Sequence, residues 1–147
     1  MNITKLQKKD LKKLLGLYAF LHESDERPDF EAALKIWEES ESTSVITYWG
    51  LFHKAALISS CQVTHVPNLT RGGRPYCFIE NVVTHPSHRG KGYGKAVLAA
   101  ALDYAWSINC YKAMLMTGRN ESVQSFYKSA GFSGAEKHAF IANPGST

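Results

Sequence analysis

The chain has few cysteines, no long apolar run and little net charge, and each shortage excludes something. Only three cysteines occur in 147 residues, Cys61, Cys77 and Cys110. They are odd in number, widely spaced and lack any Cys-x-x-Cys pair, so no disulfide framework is expected. Reduced core thiols are predicted, with a reactive thiol as the alternative. No stretch approaches the ~20 consecutive apolar residues that a membrane span needs, and Met1 to Lys5 do not lead into a signal-like apolar block. A soluble cytoplasmic protein without a membrane partner is the expectation. The formal net charge is +4, which suits an anionic ligand and does not call for nucleic acid. Part of that excess sits on Lys5, Lys8, Lys9, Lys12 and Lys13, which read as the solvated face of a first helix. His85 and His88 stand three residues apart with no third ligand following, so no metal site is predicted.

What is present is enough apolar residue for one core. Hydrophobic residues make up 44% of the chain, which at this length predicts a single domain over 1–147, with 143–147 a loose tail. Leu6, Leu11, Leu14, Leu15, Tyr18 and Leu21 recur at near-helical spacing and predict a helix over 7–22. A second helix is expected from Asp29, carrying Ala32, Ala33, Ile36 and Trp37 on one face. β-Branched and aromatic residues then predict strands over 45–51 and 55–66, joined at His53-Lys54, and a third over 76–84 after a loop at 67–75. Val97, Leu98, Ala101, Leu102 and Ala105 mark a helix opening near Gly92. A short strand at 113–117, a helix at 122–130 capped by Gly131 and a weak strand at 137–142 complete the chain. The order defines an α/β (α+β) fold, a single mixed central sheet flanked by helices with a crossover helix packed on it.

The chemistry concentrates where the third strand runs into the crossover helix. Arg89-Gly90-Lys91-Gly92-Tyr93-Gly94 is a glycine-rich turn at a helix N-terminus, where unpaired N–H groups and the helix dipole favour an anion. Gly90, Gly92 and Gly94 allow close backbone approach, and Arg89, Lys91 and Lys95 add positive charge. An ordinary basic loop is the competing reading. A P-loop is excluded because Gly92 follows Gly90-Lys91 and His85 stands where its first glycine belongs. A dinucleotide fingerprint is excluded because the glycines alternate and several strands come first.

The same turn matches the Arg/Gln-x-x-Gly-x-Gly/Ala signature of the GNAT N-acetyltransferase superfamily, after an apolar strand ending Val82-Val83-Thr84-His85-Pro86. Downstream, Asn120 followed by a helix with Tyr127 and the pair Gly131-Phe132 resembles the second family motif, with Val123 where alanine is often found. The resemblance covers residues 76–132 well and the first half in outline. It implies a GNAT-like fold with splayed strands at a coenzyme A site and acetyl-CoA as co-substrate. Val82 and Val83 would hold the pantetheine arm through their main chain, with an N–H there stabilising the oxyanion. Asn120 would contact pantetheine, or else cap its helix. Tyr127 would be the general acid, or else an aromatic core residue. Glu80, the one charge in an apolar strand, suits a general base; a salt bridge to a neighbouring helix competes. The stretch Asn109-Cys110-Tyr111-Lys112 resembles that of glucosamine-6-phosphate N-acetyltransferases. Relatives in the family also dimerise, so the resemblance allows a homodimer.

The acceptor pocket implied by the resemblance would be built by residues 22–30 and 66–75. Glu23, Asp25 and Glu26 could attract an ammonium group there, and Arg71 and Arg74 could bind the anionic group of a small-molecule amine, or each set could be solvated loop charge. An acetyltransferase acting on a small amine is the favoured function class. A protein N-acetyltransferase and a non-catalytic CoA-binding regulatory domain are the alternatives.

Overall fold

The computed structural model describes residues 1–145. Its elements are β1 (Asn2–Lys5), α1 (Leu11–Tyr18), α2 (Phe30–Thr43), β2 (Ile46–His53), β3 (Ala56–Val66), β4 (Tyr76–Thr84), α3 (Tyr93–Ser107), β5 (Ala113–Met114) and α4 (Glu121–Ser129). Single 3-10 turns occupy Lys8–Asp10, Arg71–Gly73 and Pro86–His88. Two compact units are distinguished, Met1–Leu115 and Met116–Thr147.

Local chemistry explains the boundaries. The Asp29 side chain accepts from the Ala32 N–H at 2.8 Å and caps α2, which ends where Ser44 turns left-handed at φ 57°. The first helix is shorter than its apolar spacing predicts. The Asp10 carboxylate accepts from the Gln7 N–H at 3.0 Å, holding Lys8–Asp10 as a 3-10 turn, so α1 starts at Leu11. β1 was not foreseen: only four residues long, it forms by antiparallel pairing with β2 rather than from its own pattern.

The sheet order is β1-β2-β3-β4-β5. Neighbours are antiparallel except β4 and β5, which run parallel. Trp49 packs on Tyr104 of α3 at 5.4 Å, while its neighbour Tyr48 stacks on Trp37 of α2 at 4.7 Å. Successive strand residues point to opposite faces, so α2 and α3 cover opposite sides of the sheet. On the α1–α2 side, Leu6, Leu11, Leu14, Leu17, Ala33, Trp37, Leu57 and Val83 form one buried cluster. Each fully buried leucine contributes about 1.5–3 kcal/mol. Gly50 of β2 belongs to the same packing, because a Cβ there would lie 2.5 Å from the side chains of both Leu6 and Leu57. α3 buries Val97, Leu98, Ala101 and Ala105 on the other face.

The second unit holds α4. Gly131, at φ 94°, ends it, with its N–H donating to the Lys128 carbonyl and that of Phe132 to Tyr127. The strand expected at 137–142 does not form. Phe140 and Ile141 are 95% and 70% exposed, and among the described residues no strand of the sheet pairs with this segment. Of the expected tail, 143–145 are exposed and 146–147 lie outside the described residues.

Candidate active site

β5 meets β4 only at Cys77 opposite Ala113 and Phe78 opposite Met114. Beyond Phe78, that edge of β4 has no strand partner among the described residues. On the other edge, β4 pairs with β3 through a bulge: Ser60 faces Val83 and Gln62 faces Glu80, which leaves an extra residue on β4. Asn81 takes up the slack at φ 52°, a left-handed conformation in which asparagine is enriched.

Hydrogen bonds show which main-chain groups face the open edge. The Cys77 N–H donates toward β5, to the Lys112 carbonyl at 3.0 Å. The His85 N–H donates the opposite way, to Ile58 of β3 at 2.8 Å, and the Val83 carbonyl accepts from Ser59 Oγ at 3.1 Å. Alternation then turns Val82 and Thr84 to the open edge. Val83 departs from the role implied for it, since its carbonyl serves β3 and its side chain lies in the α1–α2 core.

The open edge runs into the glycine turn. Gly90 and Gly92 have φ of 72° and 80°, and Gly92 caps α3, its carbonyl accepting from the Ala96 N–H at 3.0 Å. The N–H groups of Tyr93, Gly94 and Lys95 lie in the first turn and have no intrahelical acceptor, at the positive end of the dipole. Nothing lies within 4 Å of where a Cβ would stand at Gly90 or Gly92, which leaves the backbone open to a ligand. Gly94 differs, being buried against the sheet side of α3. Arg89 Nε donates to the Thr84 carbonyl at 3.1 Å, and Lys91 Nζ to the Ser87 carbonyl at 3.2 Å. Lys95 is exposed. Bare N–H groups, left-handed glycines and three cations fit a pyrophosphate.

Histidines crowd the same turn. His88 lies 5.7 Å from His85, 6.1 Å from His53 and 6.0 Å from Tyr93, centroid to centroid. Desolvation, then Lys91, His85 and His53, push its pKa below the usual imidazole value. His85 Nδ1 is engaged by Ser87 Oγ at 2.8 Å. Among the described residues no three His, Cys, Asp or Glu side chains converge to hold a metal ion.

The sheet face opposite α3 is half open along β4. Cys77 and Ile79 are buried on the α3 side, whereas Tyr76, Phe78 and Glu80 alternate with them and are partly exposed. Glu80 sits across from Gln62 and makes no ion pair among the described residues, so the salt-bridge reading finds no support. Gln62 Oε1 accepts from Asn81 Nδ2 at 3.3 Å. Sequence reasoning missed Tyr18, which α1 places among these groups. Its hydroxyl is buried with no partner in hydrogen-bonding geometry. Burial drives its pKa well above the ordinary phenol value; Tyr48 and Cys61 add to this and the Asn81 side chain partly offsets it. In the sequence, Tyr18 was one member of an apolar helical stripe.

The two loop arginines have different partners. Arg74 donates from Nε to the Asn109 carbonyl at 3.3 Å and from a terminal nitrogen to the Cys110 carbonyl at 3.2 Å, tying the β3–β4 loop to the exit of α3. Arg71 lies over the Tyr111 ring at 5.7 Å. A cavity of about 360 Å³, lined by His65, Pro67, Asn68, Leu69, Gly73 and Pro75, also opens in this loop. It adjoins the start of β4, the far end from the glycine turn, and its lining brings no lysine or arginine.

In the second unit, Asn120 Oδ1 accepts from the Ser122 N–H at 2.9 Å and from Ser122 Oγ at 2.7 Å, so Asn120 caps α4. Tyr127 is half-buried, its ring 5.0 Å from Phe126 and 6.2 Å from Phe132.

An open strand edge leading to an anion cradle is the layout of an acetyltransferase, and similarity to known proteins agrees. The sequence model of the Acetyltransferase (GNAT) family matches residues 9–132. A solved structure from Agrobacterium tumefaciens str. C58, named for an acetyltransferase, matches with a TM-score of 0.91 and 35% identity over 97% of this chain and 100% of its own. The chain belongs to the GNAT acetyltransferase family. Glucosamine 6-phosphate N-acetyltransferase of Trypanosoma brucei brucei is 37% identical over 81 residues, 55% of this chain and 54% of that protein. The Schizosaccharomyces pombe (strain 972) protein of the same name is 36% identical over 64 residues, 43% and 56% respectively. The chain thus spans about half the length of the curated relatives it matches.

Proposed function

We propose that this chain is a cytoplasmic enzyme that moves an acetyl group from acetyl-CoA to a primary amine of a small molecule. The observation that carries this is the unpaired β4 edge from Ile79 onward, leading into the bare N–H groups of α3. Bound acetyl-CoA would supply an activated thioester. The turn at Arg89 to Lys95 binds pyrophosphate oxygens through backbone N–H groups and positive side chains. Main-chain groups at Val82 extend the sheet along the pantetheine arm, and an N–H there stabilises charge developing on the carbonyl oxygen.

Direct attack by the amine needs no nucleophilic side chain. Glu80, on the half-open face beside the bulge, takes the proton that the ammonium must lose, directly or through water. Tyr127 returns a proton from its phenol hydroxyl to the departing thiolate. The relatives named glucosamine 6-phosphate N-acetyltransferases support a compact amine bearing an anionic group as acceptor.

Release of free thiol from acetyl-CoA, followed across amino sugars, their phosphates, simple amines and a peptide with a free N-terminus, tests this reading. Turnover with a small amine is expected. Turnover with the peptide alone would make the chain a protein acetyltransferase, and CoA binding without turnover a regulatory domain.

A further inference from the structure

We propose that Lys112 and Arg71, framed by Tyr76 and Tyr111, hold a phosphate monoester on the acceptor, and that Arg74 does not. Lys112 Nζ lies 5.4 Å from the centre of the Tyr76 ring and 5.3 Å from that of Tyr111. The Arg71 guanidinium lies 5.7 Å from the Tyr111 centre, and the two rings meet edge to face at 6.2 Å. Both cations are therefore held against aromatic surfaces with donors to spare: a guanidinium over a ring face keeps its in-plane N–H groups, and the ammonium keeps at least one N–H beyond those it can aim at the two rings.

Neither cation is neutralised. The ion pairs among the described residues are Lys8 with Glu38 and Lys35 with Glu31, far from this cluster in the chain. Arg74, the third cation of the region, already donates to two main-chain carbonyls and serves as a strut. A dianionic phosphate supplies the acceptors that Arg71 and Lys112 lack, with the guanidinium fork and the ammonium as complementary donors.

Strand register connects the cluster to the chemistry. Pairing of Cys77 with Ala113 and Phe78 with Met114 sets Lys112 beside Tyr76. The ladder from Tyr76 to Glu80 runs without a break, so Tyr76, Phe78 and Glu80 share one face. Four residues of strand separate the cluster from Glu80 by ~13 Å between backbones. Side chains stand roughly perpendicular to the sheet, so the charged heads keep about the spacing of their backbones, which leaves room for one phosphorylated sugar ring between them. Phe78, half-buried midway, offers it an apolar floor. The inference rests on the acetyl-transfer reading for the amine end and on the cluster alone for the anion end.

Kinetics on glucosamine 6-phosphate and glucosamine, with Lys112→Met, Arg71→Met and Arg74→Met, test it. Lys112→Met and Arg71→Met should each raise KM for the phosphorylated amine by about tenfold or more. The KM for acetyl-CoA and kcat/KM for glucosamine should stay put, and Lys112→Arg should recover part of the loss. Arg74→Met should lower Tm while keeping the preference for phosphate. Equal losses on both amines, or loss of the preference in Arg74→Met alone, would overturn the assignment. Calorimetric titration with glucose 6-phosphate, which has no amine to acetylate, reads the anion site by itself. Binding lost in Lys112→Met sustains the proposal even if no amine turns over, and a wild-type chain that does not bind it overturns the proposal even if acetylation is found.

Discussion

Replacing Gly92 by alanine separates the cost of backbone strain from the role of the glycine turn in binding. Gly92 has φ 80°, and nothing lies within 4 Å of the added methyl group. The protein itself therefore offers no clash, and the stability loss is that of a left-handed alanine, ~1–2 kcal/mol. For a chain of this size that is a fall in Tm of roughly 3–8 °C. Gly72 supplies the control, since it has φ 70° with equally open surroundings but lies in the β3–β4 loop. Gly72→Ala should cost the same stability and leave CoA binding unchanged. If the turn holds a pyrophosphate as proposed, the methyl group in Gly92→Ala stands in the open space the ligand would enter. Losing one charge-assisted hydrogen bond costs ~1.5–3 kcal/mol, or about 10- to 150-fold in CoA affinity. Calorimetric titration of both variants with CoA, and with pantetheine, which lacks the pyrophosphate, measures this directly. Wild-type CoA affinity in Gly92→Ala, or an equal loss in Gly72→Ala, would refute the cradle.

Three further predictions follow from single groups. Tyr18→Phe removes a buried hydroxyl with no partner in hydrogen-bonding geometry, so thermal unfolding should show unchanged or slightly higher stability, by up to ~1 kcal/mol; a clear fall in Tm would mean that the hydroxyl is satisfied. Burial lifts the Cys61 thiol from 9.0 to about 12, and Cys77 shifts the same way beside Cys110. The folded chain keeps protons that the unfolded chain releases, so stability should be full below pH 9 and drain from there toward pH 12, by up to ~1.4 kcal/mol per pH unit for Cys61. Denaturant titrations across that range check it, and a flat profile would contradict it. Tyr127→Phe should lower turnover far more than acetyl-CoA affinity, measured by thiol release and by titration; equal losses would assign the ring to packing with Phe126 and Phe132 alone.

Legibility from the sequence followed how local the cause was. The glycine turn, the helix starts at Asp29 and Asn120 and the Gly131 stop are made by residues within a few positions of one another, so their places could be read directly, while Asn120 was left between a pantetheine contact and a cap. β1 could not, because its pairing with β2 is made about fifty residues away and only Ile3 marks it. The bulge at Asn81 likewise depends on the registry of Gln62 and Ser60 across the sheet, and that registry decides that Val82 rather than Val83 faces the open edge. Arg71 and Arg74 look alike in the sequence. Contacts with Tyr111 and with the carbonyls of Asn109 and Cys110, more than thirty residues along, make one available and the other a strut.

Backbone amide exchange resolved by residue, with and without acetyl-CoA, tests the central claim most directly. Slowing is predicted at Val82 and from Gly90 through Lys95, with the loop around Leu69 unchanged. Protection confined to the cavity beside His65 and Leu69, or none along β4 and the glycine turn, would contradict it.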